Sequence, residues 1–227
     1  MKLEANRDDE TGAMTSTGNL SPRVLGLARR QFADVLLFGI TAVELTILVW
    51  LTPSFTLTDW IYVAQHAIVL AIALTRPSPE ARDSSPATML AIAVSYAYPY
   101  AQIIYLRTVP GVAASPEIGL VVVIIAACLS FASLITLGRL FGVRPALRGV
   151  MTKGPYAFVR HPMYLAYVIG DIGYNLQEWN TGTALMVLVG WASLLYRINA
   201  EERVLSQDAR WRAYSESTRN RLVPGLW

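Results

Sequence analysis

Cysteine is almost absent from this chain of 227 residues. The one thiol, Cys128, sits inside an apolar run with no partner for a disulfide, a zinc site or a redox pair, so it reads as a packing residue. Charge is scarce too. Charged residues make up 15% of the sequence against 54% hydrophobic, and mean hydropathy is positive. No ordinary soluble core hides that much apolar surface, which makes the bilayer the expected solvent. A net charge of +3, with the basic residues spread among apolar runs, excludes a nucleic-acid patch, and no DNA-binding motif occurs. The first 22 residues carry Asp8, Asp9, Glu10 and several Ser and Thr without an apolar core or cleavage site. They read as a disordered polar tail, not as a signal peptide. The final Pro224-Gly225-Leu226-Trp227 is no lipidation box. There is no internal repeat and no stretch that reads as a strand.

What is present is a series of apolar runs at residues 33–52, 57–75, 87–106, 117–137, 162–178 and 182–199. Four reach the ~20 residues a spanning helix needs, and the last two are slightly short. Turn chemistry separates them: Thr52-Pro53, Arg76-Pro77-Ser78-Pro79, Pro110-Gly111 and Asn180-Thr181-Gly182. With both termini in the cytoplasm, the inner side holds every Lys and Arg except Arg107, as basic retention at helix ends requires. The expected fold is all-α, a polytopic membrane bundle of about six transmembrane helices. Its parts are a polar tail (1–32), four transmembrane helices (33–137) and a C-terminal region (138–227). In the last part, the short join around Trp179 and Asn180 implies a tight helical hairpin. Val204, Leu205, Trp211 and Tyr214, interleaved with Arg203, Arg210 and Arg212, imply an amphipathic helix at the inner interface.

The hairpin brings two polar clusters to one depth. The first is Gly154-Pro155-Tyr156-Ala157-Phe158-Val159-Arg160-His161-Pro162-Met163-Tyr164. Pro162 suits the first position of a helix and pushes His161 toward an extended conformation. The amides of Met163, Tyr164 and Leu165, with Arg160 and His161 alongside, then form either an anion site or a simple interfacial anchor. The second cluster is Arg197-Ile198-Asn199-Ala200-Glu201-Glu202. Arg197 and Glu201 are spaced to pair on one helical face, while Glu202 turns ~100° away.

Taken in order, Gly154-x-Tyr156-x-x-Val159-Arg160-His161-Pro162-x-Tyr164, then Arg197-Ile198-x-x-Glu201-Glu202, a short helix and a Pro-containing tail resemble the isoprenylcysteine carboxyl methyltransferase family over residues 137–227. Membrane methyltransferases that act on phospholipids are similar as well. The first four helices carry no such motif. The resemblance implies methyl transfer from S-adenosylmethionine, bound at the cytoplasmic end of the last helices, to a lipophilic small molecule or lipid arriving from the bilayer. Tyr156, Val159, Arg160, His161, Tyr164, Glu201 and Glu202 are then the cofactor-binding candidates, and Arg197 and Glu201 the catalytic ones. Arg160, His161 and the helix amides suit the donor's carboxylate, Glu201 or Glu202 its ammonium or ribose hydroxyls, and Tyr156 or Tyr164 its sulfonium. Arg197 either orients an acceptor carboxylate or pairs with Glu201. No glycine-rich dinucleotide fingerprint is present, so a soluble Rossmann-type site is not available. No metal site is expected.

Two other readings stand beside this one. One is a sterol-type membrane reductase, which requires NADPH; the other is a lipid-binding scaffold whose polar clusters are only anchors. Among the remaining polar residues, Arg144 and Arg148 lie in a basic loop that either holds orientation or contacts an anionic group. Asp34, Glu44, His66, Gln102, Asp171 and Asn175 fall at membrane depth, where ionisable residues raise a functional hypothesis. Asp171 and Asn175, near Gly170 and Gly173, read as a structural contact inside the bundle in preference to a tunnel lining. His66 reads as a satisfied bundle residue.

Overall fold

In a computed structural model the chain is described continuously over residues 56–75 and 79–225; of the segment before them only Gly39, Val43, Thr46 and Trp50 are described, all helical. The polar tail, the run at 33–52 apart from those four positions, Asp34 and Glu44 therefore lie outside the described residues. Six helices follow: α1 (Leu57–Thr75), α2 (Pro86–Thr108), α3 (Pro116–Leu137), α4 (Pro162–Gln177), α5 (Thr181–Leu205) and α6 (Ala209–Ser217).

The helix starts are written in the sequence. Pro occupies the first turn of α2, α3 and α4, where a missing amide costs nothing. Ser85, Asn180 and Asp208 cap α2, α5 and α6 by accepting from the amides of Thr88, Gly182 and Arg210. Pro99 lies inside α2 without ending it, as membrane-depth helices tolerate.

Among the described residues, α2, α5 and Pro116–Leu140 are long and apolar enough to cross a membrane. Their outward faces are apolar: Leu90 and Ile104 of α2, Ile118 and Ile125 of α3, and Leu185 and Leu188 of α5 are all exposed. Such a surface suits lipid, not water. With 16 residues, α4 is shorter than these spans.

The connections alternate between the two ends of the bundle. At one end, two-residue strands β1 (Ala81–Arg82) and β2 (Ala146–Leu147) pair antiparallel, joining the α1–α2 and α3–α4 connections. At the other, Val112 and Trp179 exchange backbone hydrogen bonds of 2.8 Å each, joining the α2–α3 and α4–α5 connections. The β1–β2 ladder departs from the strand-free expectation because two residues per strand are too few to show alternation.

The hairpin is looser than expected. α4 and α5 run antiparallel across their three-residue join, since Asn175 meets Thr183, Asp171 meets Trp191 and Tyr164 meets Glu201. The main helix packing, however, pairs α4 with α3 and α5 with α2. α3 and α4 approach closely through facing glycines. A Cβ on Gly119 would stand 2.6 Å from the carbonyl oxygen of Gly173, so only the absent side chain permits this contact. A cavity opens where a tight hairpin would have closed.

The C-terminal helix also differs from the expected interfacial one. Trp211 and Tyr214 of α6 are buried with Leu147, Val204 and Leu205, so its apolar face is spent on the protein itself.

Candidate functional site

A single continuous cavity of about 610 Å³ runs through the bundle, lined from Thr56 and Asp59 near the start of α1 to Arg160, His161 and Trp211 at the opposite end. That size lies in the range of small-molecule sites. The polar motifs converge at the end where β1 and β2 pair.

His161 caps α4 with Pro162 in its first turn. Its ring Nε2 lies 3.1 Å from Glu202 Oε1. Glu202 also takes Arg160, whose Nε is 3.4 Å from Oε1, and Arg221, whose Nη2 is 2.8 Å from Oε2. The carboxylate thus meets three basic side chains from two segments. The amides of Arg160 and His161 donate to the carbonyls of Asn220 and Arg221, at 2.9 Å each, so residues 219–222 strap the motif like a third strand. The amide of Leu165 is not available to an anion, since it donates to the carbonyl of His161 at 3.1 Å.

The two adjacent acids have different surroundings. Glu201 lines the cavity and accepts from the Tyr164 hydroxyl at 2.9 Å, whereas Glu202 faces the strap. The expected Arg197–Glu201 pair is replaced by this Tyr164 bond. Arg197 is only 6% exposed; its guanidinium lies 5.3 Å from the centroid of the Tyr164 ring and donates to the Val143 carbonyl at 3.2 Å. Its Nε has no hydrogen-bond partner, and it lines the cavity with Arg160, whose Nε is ion-paired to Glu202. A buried cationic donor left unmet on a cavity wall creates a demand for an anionic or hydrogen-bond-accepting ligand.

Tyr156 is buried on the cavity wall. Its carbonyl accepts from the Tyr214 hydroxyl at 2.6 Å, which fixes the 3₁₀ turn Gly154–Ala157. Burial pushes the Tyr156 phenol well above its ordinary range, with Glu201 adding to the shift. Val159 is buried at 3% exposure and packs beneath the motif without lining the cavity. Arg144 and Arg148 both line it, and Arg144 also donates to Ser84 at 2.5 Å. Burial lowers the pKa of Arg144, with Arg82 adding to the effect.

Toward the other end, Asp171 makes the structural contact expected of it, accepting from Tyr98 and Trp191 inside the bundle, and it lines the cavity as well. Asn175 and Gln102 do act within the framework, bonding Thr183 side chain and backbone. His66 is satisfied by the Tyr62 carbonyl and the Tyr100 hydroxyl.

The residues that sequence reasoning missed are Arg221, Trp211 and the strap. Trp211 faces the His161 ring at 6.3 Å between centroids and lines the cavity there. Spacing carried no signal for Arg221, because an irregular tail has no periodicity.

Comparison with known proteins meets this geometry in the same region. The family model described as the isoprenylcysteine carboxyl methyltransferase (ICMT) family matches residues 118–207. The protein-S-isoprenylcysteine O-methyltransferase A of Arabidopsis thaliana is 30% identical over 107 residues, 44% of this chain and 54% of the relative; the chain thus matches about half that relative's length. A solved structure of the eukaryotic intramembrane Ras methyltransferase ICMT aligns over 89% of this chain and 86% of its own, with 18% identity and a TM-score of 0.47. Residues 118–207, the part that matches the isoprenylcysteine carboxyl methyltransferase family model, hold both the Arg160-His161-Pro162 turn and the Glu201-Glu202 pair.

Proposed function

We propose that this multi-pass membrane protein is a methyltransferase that uses S-adenosylmethionine to methylate a lipophilic acceptor, an isoprenylcysteine-like carboxylate or another lipid. One observation carries the reading: the motif residues line the end of a cavity that continues between apolar helices. A water-soluble donor and a lipid chain can therefore share one continuous cavity.

The residues fit the donor. The guanidinium of Arg160, which lines the cavity beside His161, answers its amino-acid carboxylate. Glu201 on the cavity wall answers an ammonium or hydroxyl, and Tyr156 and Trp211 offer aromatic faces to a sulfonium or adenine. Glu202 acts one step back, holding Arg160, His161 and the strap in place. S-adenosylmethionine supplies a methyl group on a sulfonium, whose displacement by a carboxylate neutralises charge and is favoured where water is excluded.

The chain's own work is alignment, because an in-line displacement rewards positioning above all. Arg197 is held between the Tyr164 ring and the Val143 carbonyl with one donor unmet, a suitable clamp for an acceptor carboxylate. An amine acceptor needs a base instead, for which Glu201 is the cavity-lining carboxylate at this end. The motif end is read as cytoplasmic, from the basic residues gathered there.

Calorimetry on the purified protein in detergent, titrated with S-adenosylmethionine and S-adenosylhomocysteine, tests the reading. Saturable heat with both is expected. No heat with either, in protein that retains its helical circular dichroism, would overturn it.

A further inference from the structure

The cavity does not become purely apolar as it leaves the motif end. Asp171 sits on its wall, accepting from the Tyr98 hydroxyl at 3.0 and 2.9 Å and from the Trp191 indole at 2.8 Å. Tyr98, on the same wall, is seated by Gly190, where a Cβ would stand 2.7 Å from its ring. Trp191 is the next residue along. The sequence of α5 therefore makes room for the tyrosine that orients this carboxylate.

Asp171 has about four acceptor directions, and the two donors leave it room for another. Ser130, on the facing helix α3, is 3% exposed, lines the same cavity, and its hydroxyl has no hydrogen-bond partner. Because Ala126 packs at Gly170, Ser130 lies about one turn nearer the motif end. Among the polar side chains of this mixed wall, which include Gln65, Tyr167 and Gln102, these two face each other from α3 and α4. A plain hydrocarbon chain passing here would desolvate both without replacing their hydrogen bonds.

We propose that Asp171 and Ser130 form a polar collar that recognises a hydroxyl carried partway along the chain of the lipid acceptor. The inference rests on the methyltransferase reading and deepens it by naming a substrate class, a hydroxylated long-chain lipid. Asp171 accepts a hydrogen bond from the hydroxyl, and Ser130 marks the entry to the collar. Seven residues of α4 separate Tyr164 from Asp171, about 10 Å, and ten of α5 separate Trp191 from Glu201, about 15 Å. The hydroxyl therefore sits roughly eight to twelve carbons from the methylated group, given bonds of ~1.5 Å in a zigzag chain.

Two probes differing by that one group test the collar: 12-hydroxystearate and stearate, measured by thermal shift and competition on the full chain in nanodiscs. The hydroxylated acid should bind wild type roughly tenfold more tightly, the worth of one hydrogen bond to a charged acceptor. The gap should close in Asp171→Asn, whose single oxygen is already claimed by Tyr98 and Trp191, while S-adenosylhomocysteine binding stays at the wild-type level. Should that variant fail to fold, Ser130→Ala, which removes an unpartnered hydroxyl, should narrow the gap with unchanged thermal stability. Equal binding of the two acids to wild type, or a gap that survives substitution, overturns the collar, including the case in which Asp171 serves only Tyr98 and Trp191. Loss of S-adenosylhomocysteine binding in wild type would instead strike the methyltransferase reading, so the two failures are separable.

Discussion

His161 and Glu202, 41 residues apart in the chain, meet at 3.1 Å, and the contact joins the start of α4 to the C-terminal end of α5. Glu202 also holds Arg160 and Arg221, so it carries the only negative charge in that group of four side chains. Removing it leaves two guanidinium groups facing each other beside a buried imidazole. Glu202→Ala should lower stability by about 1–3 kcal/mol and weaken S-adenosylhomocysteine binding through the displaced Arg160. Arg221→Ala should cost less, and the double variant less than the sum, because both singles break the same strap. Thermal unfolding of the four proteins in one detergent provides the cycle; strict additivity would show that the tail and the motif are energetically independent.

Arg197 is expected to separate stability from activity. A buried guanidinium with an unmet donor is expensive to keep, and replacing such a charge with an apolar side chain of similar length is often neutral or stabilising. Arg197→Met should therefore unfold at or above the wild-type temperature. Methyl transfer to a carboxylate acceptor should fall at least tenfold, the factor for about 1.4 kcal/mol of lost transition-state interaction, with S-adenosylmethionine affinity preserved. Retained turnover in Arg197→Met would remove it from the acceptor site.

The sequence made the helices legible and left their packing partners hidden. Five of its apolar runs reappear as α1 to α5 within a few residues, because Ser85-Pro86, Ser115-Pro116, His161-Pro162 and Asn180 are local start signals that need no tertiary context. Likewise Arg160, His161, Tyr164, Glu201 and Glu202 were findable as two motifs, and the short α4–α5 join was enough to bring them together. The partner choice was not legible. α4 packs on α3 because Gly119 and Gly173 happen to face each other, a match between distant residues that no local pattern encodes. Glu201 and Glu202 were separable only once Tyr164 was seen to take one and Arg221 the other.

Asp83 provides an acid-sensitive tie between the α1–α2 connection and α5. It accepts from the Ser85 amide at 2.7 Å and the Thr88 hydroxyl at 2.7 Å, and Arg203 lies 3.7 Å away. The Ser85 amide first, then the Thr88 hydroxyl, hold its carboxyl below the ordinary range. For a depressed carboxylate the unfolded chain takes up protons first as pH falls. The stabilising contribution is complete above the ordinary Asp range and disappears as pH drops through the lower folded value. Wild type should accordingly lose thermal stability between pH 5 and pH 3 by more than Asp83→Asn does, an interval of about two units below neutrality set by the ordinary carboxyl range. Parallel loss in the two proteins would assign the acid sensitivity elsewhere.

Tyr214 offers the converse test at high pH. Its hydroxyl donates to the Tyr156 carbonyl at 2.6 Å inside the buried group of Trp211, Val204 and Leu205. Burial pushes its phenol up to about 12, against a lowering influence of Arg160. An acid whose folded value is raised holds its proton more tightly when folded. Its contribution is therefore intact below the ordinary tyrosine value of about 10 and is lost as pH climbs through the folded value. Tyr214→Phe removes the donor and leaves the Tyr156 carbonyl buried and unpaired, which should cost about 1–3 kcal/mol at neutral pH. The same change should weaken S-adenosylhomocysteine binding, since the turn that presents Tyr156 to the cavity loses its anchor, although Tyr214 itself does not line that space. Thermal melts of wild type and Tyr214→Phe at pH 7 and pH 11, each with and without S-adenosylhomocysteine, separate the two effects. The stability difference between the proteins should shrink at the higher pH as the wild-type phenol begins to ionise; a difference that grows would mean the hydroxyl is not the group that matters.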